Sequence, residues 1–549
     1  MSEEKTTRAT AVLVVGGGPV GLSLAIRLAQ FDVPVLLVER HRDTAVFPKG
    51  RALSVRTMEI YRSWGLERAV TAAGLPRDHL AFYTGRSLTD PDGARIVTDP
   101  GARPLPSPTH TLLCSQDRLE PLLRSCAERL LPDRIRFGTE LVELAVTGSG
   151  VSALVYDRRG GRHMSITADY LVGCDGAGSG VRRRSQIALA GPSDVSSNLN
   201  ILFEADLAGL VADRRSAVYT ITRPGLHGAF LAVDNDRRWL FNVVDDSDGT
   251  RLDRLDVAAC RALVRQAAGV PELAVTVVDR QLWRAAAQVA DRFRCGPVFL
   301  AGDAAHVTTP YGGFGMNCGI ADADNLAWKL AAVHHGWADA GLLDTYEAER
   351  RPVALASAAE SHRRLVDALR AYRAGAPPPV GRPSEGLVLG YRYASTAVLA
   401  DGTLPPDGDP VADYVPTARP GHRMPHRWLH RDGRRLSTLD LVGPGLTLLA
   451  GRDAEWVADP AGVPSEVPLT VWRIGVGGLR DPDAEWHDSY GIATDGAVLV
   501  RPDGHVAWRT RRAPAEALGD VVRRFCQRPG PGRPDGVGGP GNRGQSPVG

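Results

Sequence analysis

Apolar and polar positions along the chain change their spacing several times, and each change marks a different kind of element. Residues 10–40 read as a strand, a glycine turn, a helix and a second strand. The second strand, Val35 to Val38, is continuously apolar, as a strand buried in a parallel sheet should be. Apolar residues at helical spacing follow in 54–70 and 116–131. The N-terminal part is therefore predicted to be a βαβ unit with further helices packed on it.

A different pattern covers residues 196–245, where four segments alternate between apolar and polar positions. Alternation with a period of two is typical of an antiparallel sheet with one covered face. Strand character returns at 298–306 and is followed by helical spacing at 319–335 and 342–372. Residues 425–528 form a further unit in which strand and helix patterns mix. The predicted fold class is α/β, with an inserted antiparallel sheet and a separate C-terminal unit.

Composition limits the classes of function without choosing among them. The chain has 549 residues, 43% hydrophobic and 23% charged, as in an ordinary globular protein of two or three domains. Its 65 basic residues nearly balance its 63 acidic ones, so neither nucleic acid nor a membrane surface is expected as a partner. Seven scattered Cys without a C-x-x-C pair predict no disulfide framework and no metal site, and they favour a cytoplasmic protein. The N-terminal residues predict neither a signal peptide nor a spanning helix.

The glycine turn of the N-terminal unit has the spacing G-x-G-x-x-G, formed by Gly16, Gly18 and Gly21. The same spacing occurs twice in residues 536–544, so the spacing alone means little. At the first position, however, a buried strand precedes the turn, a helix follows it, and Glu39 ends the next strand. Such a turn lets phosphate approach the backbone, offers helix N–H groups to a pyrophosphate, and places the acidic residue near a ribose. The segment predicts dinucleotide binding through Gly16, Gly18, Pro19, Gly21, Glu39 and Arg40.

Two later segments have the same character. The first runs from Tyr170 to Arg183 and contains Asp175-Gly176 directly after a strand. The second contains Gly302-Asp303 after a strand, then Pro310 and a run of glycines that leads into a helix near Asn317. A second helix N-terminus behind a glycine-rich turn is a further anion site. Two such sites suit a cofactor with two negative regions, the pyrophosphate and the reduced ring of a flavin dinucleotide.

Together these motifs resemble the fingerprints of FAD-dependent aromatic hydroxylases of the para-hydroxybenzoate hydroxylase type. The resemblance covers residues 10–370 and includes Gly50-Arg51-Ala52 before a helix and Ser115 to Glu120 at another helix start. Residues 425–509 are similar to the thioredoxin-like extension of phenol hydroxylases and of aromatic polyketide hydroxylases, in particular the tetracenomycin type. This extension has no Cys before Cys526, which excludes thioredoxin chemistry. Its expected role is packing, dimerisation or stability.

The resemblance implies an order of domains along the chain. A discontinuous, Rossmann-like FAD-binding domain takes residues 1–184 and 281–372, and an inserted antiparallel-sheet domain for the substrate takes 185–280. A linker (373–424) leads to a thioredoxin-like domain without a redox Cys pair (425–528). Residues 529–549 are rich in Gly and Pro and are predicted to be a disordered tail.

The resemblance also implies a reaction. NADPH or NADH would reduce FAD in a transient visit, because the sequence has no second nucleotide-binding turn with a strand before it. O2 would then form a hydroperoxide at the flavin C4a position, and its distal oxygen would pass to an electron-rich, polycyclic polyketide ring. The expected product is a hydroxylated aromatic compound. A homodimer is compatible with the resemblance.

Residue roles follow from the same matching. Asp303 would bind the ribityl chain, and N–H groups from Gly315 to Asn317 would stabilise negative charge on the reduced flavin. Pro310 and Gly315 would form the environment of the reacting edge. The other cofactor contacts implied are Arg51, Gln116, Leu141, Asp175, Gly176, Gly302 and Met316.

The antiparallel sheet is expected to cover the flavin and to carry the substrate contacts. The candidates are Tyr83, Tyr219, Phe230, Trp239, Asn242 and Tyr311. Each aromatic candidate has a plainer interpretation as a packing residue, since aromatic residues in strands more often pack in the core than line a pocket. His227 is a candidate base for a phenol proton because histidine titrates near neutrality. A protein base is not required, since a phenol can also lose its proton to water.

Two alternatives share this fold. A Baeyer–Villiger-type oxygenation of a ketone would use the same oxygenated flavin, and a hydroxylation could serve to inactivate an antibiotic. The sequence leaves these alternatives open, together with the exact substrate, the regiochemistry and the choice of NADPH or NADH. A flavin halogenase and a disulfide reductase are excluded, because the chain lacks a W-x-W-x-I-P segment and a Cys pair in the first helix.

Overall fold

The computed structural model describes residues 7–97, 106–244, 252–379, 381–458 and 462–527. The tail predicted at 529–549 lies outside these described residues. Among the helices described, none is long and apolar enough to cross a membrane.

The helices and strands are numbered here in chain order. The α-helices are α1 (Pro19–Gln30), α2 (Val55–Ser63), α3 (Glu67–Ala73), α4 (Gln116–Leu130), α5 (Gly180–Arg184), α6 (Val257–Ala268), α7 (Phe314–His334), α8 (Thr345–Arg373), α9 (Glu385–Val388), α10 (Trp486–Tyr490) and α11 (Leu518–Phe525). The first thirteen strands are β1 (Thr7–Val15), β2 (Val35–Glu39), β3 (Ala52–Leu53), β4 (Ala81–Gly85), β5 (Ala94–Val97), β6 (Leu112–Leu113), β7 (Ile135–Phe137), β8 (Thr139–Thr147), β9 (Gly150–Asp157), β10 (Arg162–Gly173), β11 (Leu189–Ala190), β12 (Ser196–Glu204) and β13 (Val218–Arg223). The others are β14 (Leu226–Ala232), β15 (Arg238–Val244), β16 (Thr276–Ala285), β17 (Gln288–Ala290), β18 (Arg294–Cys295), β19 (Val298–Leu300), β20 (His306–Val307), β21 (Trp428–Arg431), β22 (Arg434–Ser437), β23 (Leu446–Ala450), β24 (Leu469–Arg473), β25 (Ala497–Val500) and β26 (Val506–Thr510).

The N-terminal βαβ unit lies at the centre of the first sheet, whose main order is β18-β19-β10-β1-β2-β7. Strands β19, β10, β1, β2 and β7 run parallel, while β8 and β9 form an antiparallel extension on β10. Helix α1 packs between this sheet and helices α4 and α7. Val35 to Val38 are buried on both faces, which explains why that strand has no polar alternation. The carboxyl ends of β1, β2 and β10 meet at one edge, where open α/β sheets bind ligands.

The second sheet has the order β16-β12-β15-β14-β13-β4-β5 and is antiparallel except for the parallel pair β13 and β4. Strands β12 to β15 and the first half of β16 come from the predicted insert (185–280), whereas β4 and β5 come from residues 81–97, where the pattern does not indicate strands. One face of this sheet packs on α6 and forms its own hydrophobic core. The other face is open and lies towards the carboxyl edge of the first sheet.

The C-terminal unit contains a four-stranded sheet of order β24-β23-β25-β26, in which only β23 and β24 are parallel. This unit packs on α7, where Phe525 of α11 stacks on Trp328 with ring centroids 6.1 Å apart. The predicted class, a Rossmann-like FAD-binding fold with an antiparallel sheet and a thioredoxin-like C-terminal unit, is confirmed.

Four charged side chains are buried where α7 and α8 meet the C-terminal unit, and they are called the ion cluster: Lys329, Glu349, Arg501 and Asp503. The Glu349 carboxylate accepts hydrogen bonds from Arg501 at 2.6 and 2.8 Å and from Lys329 Nζ at 2.7 Å. Arg501 also pairs with Asp503, and all four side chains are at most 2% exposed. Burial alone would raise the pKa of Glu349, but Arg501 and Lys329 outweigh it and lower this pKa to about 2. Burial lowers the pKa of Lys329 to about 8 although Glu349 opposes the shift.

Candidate active site

A cleft of about 2280 Å³ lies between the carboxyl edge of the first sheet and the open face of the second. Single small-molecule sites measure about 300–1,000 Å³, so this cleft has room for two ligands at once. Its walls include the loops after β1, β2 and β10, the segment before α7, and side chains of β4 and β12 to β16. Most of the predicted cofactor residues and part of the predicted substrate residues therefore border one space.

The glycine turn after β1 is packed too closely for side chains. A Cβ on Gly16, whose φ is +115°, would lie 2.3 Å from the Cys174 carbonyl oxygen. A Cβ on Gly21 would lie 2.0 Å from the Gly16 carbonyl oxygen. Gly18 differs, because a Cβ there would meet only Glu120 Oε1, at 3.9 Å, and would take up room at the cleft wall. Within the described residues no side chain caps α1, so its first N–H groups fit the pyrophosphate of FAD.

Glu39 ends β2 beside this turn. Its Oε2 accepts a hydrogen bond from the Gly17 N–H at 2.7 Å, and its Oε1 accepts one from the His41 N–H at 2.8 Å. An ionised carboxylate has about four lone-pair sites, so both oxygens can also accept from ribose hydroxyls. Arg40 and Leu141 line the same end of the cleft.

Asp175 and Gly176 border the cleft after β10, but the Asp175 carboxylate already has local partners. Its Oδ1 accepts from the Ser179 hydroxyl at 2.5 Å, and its Oδ2 accepts from the N–H groups of Gly180 at 2.7 Å and Val181 at 3.1 Å. Asp175 therefore caps α5 and fixes the turn. Gly176 has a φ of +80° and, among the described residues, no atom within 4 Å of its Cβ position. Its backbone is the part of this motif that faces the cleft openly.

Asp303 is a predicted cofactor residue whose carboxyl group is open to the cleft. It follows Gly302, which has a φ of +61° and whose Cβ would lie 2.8 Å from Val20 Cγ2. The Asp303 side chain lines the cleft and is exposed to it, and the protein around the carboxyl group raises its pKa by partial desolvation. None of the described residues donates a hydrogen bond to its carboxyl group. An acidic side chain in this position fits the ribityl hydroxyl groups of FAD.

The start of α7 is the second anion site. Gly312 (φ +101°) and Gly313 (φ +66°) form the turn before it, and no side chain among the described residues caps the helix. Pro310, Gly315 and Met316 line the cleft at this point. The first N–H groups of α7, together with the positive end of its dipole, can therefore act on a negative group in the cleft.

Asn317 lies one residue beyond these free N–H groups, and its side chain points away from the cleft. Its Oδ1 accepts from the Ser54 N–H at 2.8 Å and from the Thr57 hydroxyl at 2.6 Å. Its Nδ2 donates to the carbonyl oxygens of Gly313 at 2.7 Å and Ala52 at 2.9 Å. The Asn317 side chain fastens the start of α7 to α2, so it positions the site without lining it.

A buried set behind Gly302 was not indicated by the sequence motifs. Asp322 Oδ2 accepts from the Gly302 N–H at 3.1 Å and contacts His306 Nε2 at 2.6 Å, while Oδ1 accepts from Arg350 Nε at 2.7 Å. Burial alone would raise the pKa of Asp322, but His306 and Arg350 outweigh it and lower this pKa to about 2. The set fixes the turn that presents Asp303. Its signal in the sequence is a pair of acidic residues, Asp322 and Asp324, within the mostly apolar first half of α7, since buried charges need partners.

Arg51 and Gln116 border the cleft and hold its walls together. Arg51 Nη1 donates to the carbonyl oxygens of Ala217 at 3.2 Å and Ala232 at 2.8 Å, so it reaches the second sheet. Burial lowers the pKa of Arg51 to about 10. Gln116 Oε1 accepts from the Gly50 N–H at 3.1 Å.

The second sheet presents alternate residues to the cleft, which corrects part of the predicted substrate set. Asn242 on β15 lines the cleft, and Tyr311 lines it from the segment before α7. The side chains buried on the opposite face, against the core with α6, are those of Tyr83, Tyr219, Phe230 and Trp239. Successive side chains of a strand point to opposite faces of the sheet. A residue one position along the strand therefore lies in the core instead of the cleft. Without the strand register, aromatic character alone selected the wrong face.

His227 does not line the cleft, which argues against its predicted role as a base. It is 7% exposed, and its ring stacks on Tyr372 of α8 with centroids 5.1 Å apart. Tyr372 lies at the cleft wall instead, packed beside Tyr311. Burial raises the pKa of both tyrosines.

Residues 9–361 match the family model of the FAD binding domain, and residues 417–529 match that of the aromatic-ring hydroxylase C-terminal domain. The tetracenomycin A2 monooxygenase-dioxygenase of Streptomyces glaucescens is 39% identical, over 94% of this chain and 96% of its own. The aklavinone 12-hydroxylase RdmE of Streptomyces purpurascens is 40% identical, over 94% of this chain and 99% of its own. A solved ternary complex of aklavinone-11 hydroxylase with FAD and aklavinone has a TM-score of 0.83 at 37% identity, covering 94% of this chain and 99% of that one.

Proposed function

Because the chain belongs to the family of FAD-dependent aromatic-ring hydroxylases, we propose that its cleft binds FAD along the first sheet and a polycyclic aromatic polyketide against the second. The enzyme is an FAD-dependent monooxygenase that uses NAD(P)H and O2 to hydroxylate an aromatic ring. The observation that carries the proposal is that one cleft joins both helix starts to the open face of the second sheet. Seven free cysteines are consistent with a cytoplasmic location.

When bound, FAD supplies the redox chemistry, namely acceptance of a hydride from NAD(P)H and activation of O2. The N–H groups at the start of α1 bind the pyrophosphate, and Glu39 accepts hydrogen bonds from the ribose. The Asp303 carboxyl group accepts hydrogen bonds from the ribityl hydroxyl groups. The N–H groups of residues 314–316 stabilise the negative charge that the flavin ring gains on reduction.

The segment around Pro310 holds the reacting edge in place and keeps water from it. Thr309 anchors this segment to α8, because its N–H donates to the Ser361 hydroxyl at 3.2 Å and its hydroxyl donates to the Ser361 carbonyl at 2.7 Å. Tyr311 continues the wall towards the second sheet. Oxygen transfer requires the protein to form a fixed wall on both sides of the flavin ring. The orientation of the ring and the exclusion of water set the efficiency of the transfer.

The proposed function is tested by product analysis. Purified holoenzyme is supplied with NADPH or NADH, with ¹⁸O₂, and with either a polycyclic phenol such as 1,8-dihydroxyanthraquinone or a single-ring phenol. We expect a polycyclic phenol to accelerate oxidation of the nicotinamide and to gain one labelled oxygen atom on an unchanged carbon skeleton. The same protein stripped of FAD is the control and should form no product.

Other outcomes have separate meanings. Insertion of the labelled oxygen into the carbon skeleton as a lactone would replace hydroxylation by a Baeyer–Villiger-type reaction. Acceleration by single-ring phenols alone would contradict the polycyclic substrate. If no aromatic compound both accelerates oxidation and gains oxygen, the proposed function is wrong.

A further inference from the structure

The open face of the second sheet carries a row of residues that crosses six strands, and it is called the polar row. In strand register its members are Gln281, Asn200, Asn242, Ala229, Thr220 and Thr84. All six line the cleft and are half-buried. Five of the six carry uncharged groups that can form hydrogen bonds, and none carries a charge.

Most of the hydrogen-bonding capacity of the polar row is unused by the protein. Asn242 Nδ2 donates to Asn200 Oδ1 at 2.7 Å. Among the described residues, no partner is found for the side-chain polar groups of Gln281, Thr220 or Thr84. A polar group that is covered without a partner costs free energy, so a row of them favours a ligand with matching polar atoms.

An apolar row runs beside the polar row on the same face. Its members that line the cleft are Leu240, Leu231, Val218 and Phe82, and Leu202 continues the row but is buried against Phe47. Side chains on one face of a strand repeat every two residues, so the two rows are about 7 Å apart, while neighbours within a row are about 4.8 Å apart. A flat ligand on this face would therefore place its rings on the apolar row and one long edge along the polar row.

We propose that the polar row forms hydrogen bonds with oxygen atoms along one edge of a flat, fused-ring substrate. Asn200, Asn242 and Gln281 are the specificity-determining residues. This inference rests on the proposed function and adds the chemical class of the substrate. The substrate is an uncharged ring system with three or more carbonyl or phenol oxygens on one long edge. Gln281 to Asn242 spans three strands, or about 10 Å, so a single-ring phenol reaches only part of the row.

Two isomers with the same composition test this inference. 1,8-Dihydroxyanthraquinone has three oxygens on one edge, whereas 1,5-dihydroxyanthraquinone has two on each edge. Their Kd values for the FAD-loaded enzyme are measured from the change in flavin absorbance, with the wild type and with Asn242→Leu and Gln281→Leu. One extra hydrogen bond should make the wild type prefer the 1,8 isomer by roughly 2- to 12-fold.

We expect this preference to fall towards one in both variants. Leu282→Ala is the matched control, because Leu282 neighbours Gln281 on β16 but is 49% exposed on the opposite face. It should retain the wild-type ratio, and FAD content and Tm show that each variant is folded. An equal ratio in the wild type, an unchanged ratio in both variants, or no binding of either isomer would overturn the inference. Because the readout is binding and not turnover, this failure is distinguishable from a failure of the proposed function, which shows as absent product.

Discussion

Replacement of Gly21 by alanine is expected to leave the purified protein largely without FAD. The new Cβ would lie 2.0 Å from the Gly16 carbonyl oxygen, which is backbone and cannot turn aside. Helix α1 would have to move away from the turn, and the N–H groups at its start would lose the pyrophosphate. Hydrogen bonds to charged groups contribute about 1.5–3 kcal/mol each, so loss of two should weaken FAD binding by roughly a hundredfold or more. The Kd is measured by titrating apoprotein with FAD and following flavin fluorescence.

Two other glycines serve as controls for this prediction. Gly148→Ala should bind FAD like the wild type, because Gly148 does not line the cleft, no described atom lies within 4 Å of that Cβ position, and its φ is not positive. Gly18→Ala should fold normally, since the nearest protein atom would lie 3.9 Å from the new Cβ. The variant should nevertheless bind FAD poorly, because the new methyl group takes up room in the cleft. Only Gly21→Ala should therefore lower the Tm of the apoprotein. A wild-type Kd in Gly21→Ala would show that this turn does not hold the cofactor.

Glu349→Gln is expected to lower the free energy of unfolding by about 3–5 kcal/mol, the cost of removing one partner from a buried ion pair. The substitution leaves Arg501 and Lys329 buried without the carboxylate that both contact. Glutamine keeps the size of the side chain, so the loss comes from charge and not from a cavity. Urea unfolding of FAD-saturated protein at pH 7, followed by far-UV circular dichroism, measures the change.

Its control is Glu128→Gln, which neutralises a half-exposed carboxylate paired with Arg124 and should cost about 0–1 kcal/mol. The pH dependence gives a second check. The pKa of Glu349 is lowered to about 2 in the folded protein, so its contribution is complete above its ordinary pKa of 4.5 and is lost as pH falls towards 2. The Tm difference between the wild type and Glu349→Gln should therefore shrink once the pH drops below about 4.5. A constant difference would mean that the carboxylate charge is not what stabilises this interface.

The elements that the sequence predicts well are those encoded locally. The turn from Gly16 to Gly21 is an example, since strand, glycines and helix follow one another within a few residues. Strand β2 is another, because burial on both faces leaves an unbroken apolar run. The α/β class and the antiparallel sheet could be predicted for the same reason.

What could not be predicted depends on register and on contacts between distant segments. Tyr219 and Thr220 are neighbours in sequence, yet one lies in the core and the other at the cleft, and only the pairing of strands decides which. Strands β4 and β5 have no clear local pattern, because their short segments join a sheet formed mostly by strands that come much later in the chain. The Asp322 and Glu349 contacts join helices with strands and loops far along the chain, so no local pattern describes their partners.

Helix α8 is 29 residues, or about 44 Å, long and reaches all three parts of the molecule. Glu349 near its start joins the ion cluster, Arg350 holds Asp322, and Tyr372 near its end borders the cleft. This arrangement constrains how relatives can be recombined. A crossover placed after α8 would pair Arg501 from one parent with Glu349 from the other, and any mismatch would leave a buried charge alone. Helices α7 and α8 and the C-terminal unit should therefore come from the same parent protein. A chimaera designed to change substrate choice should exchange the second sheet and leave these parts unchanged.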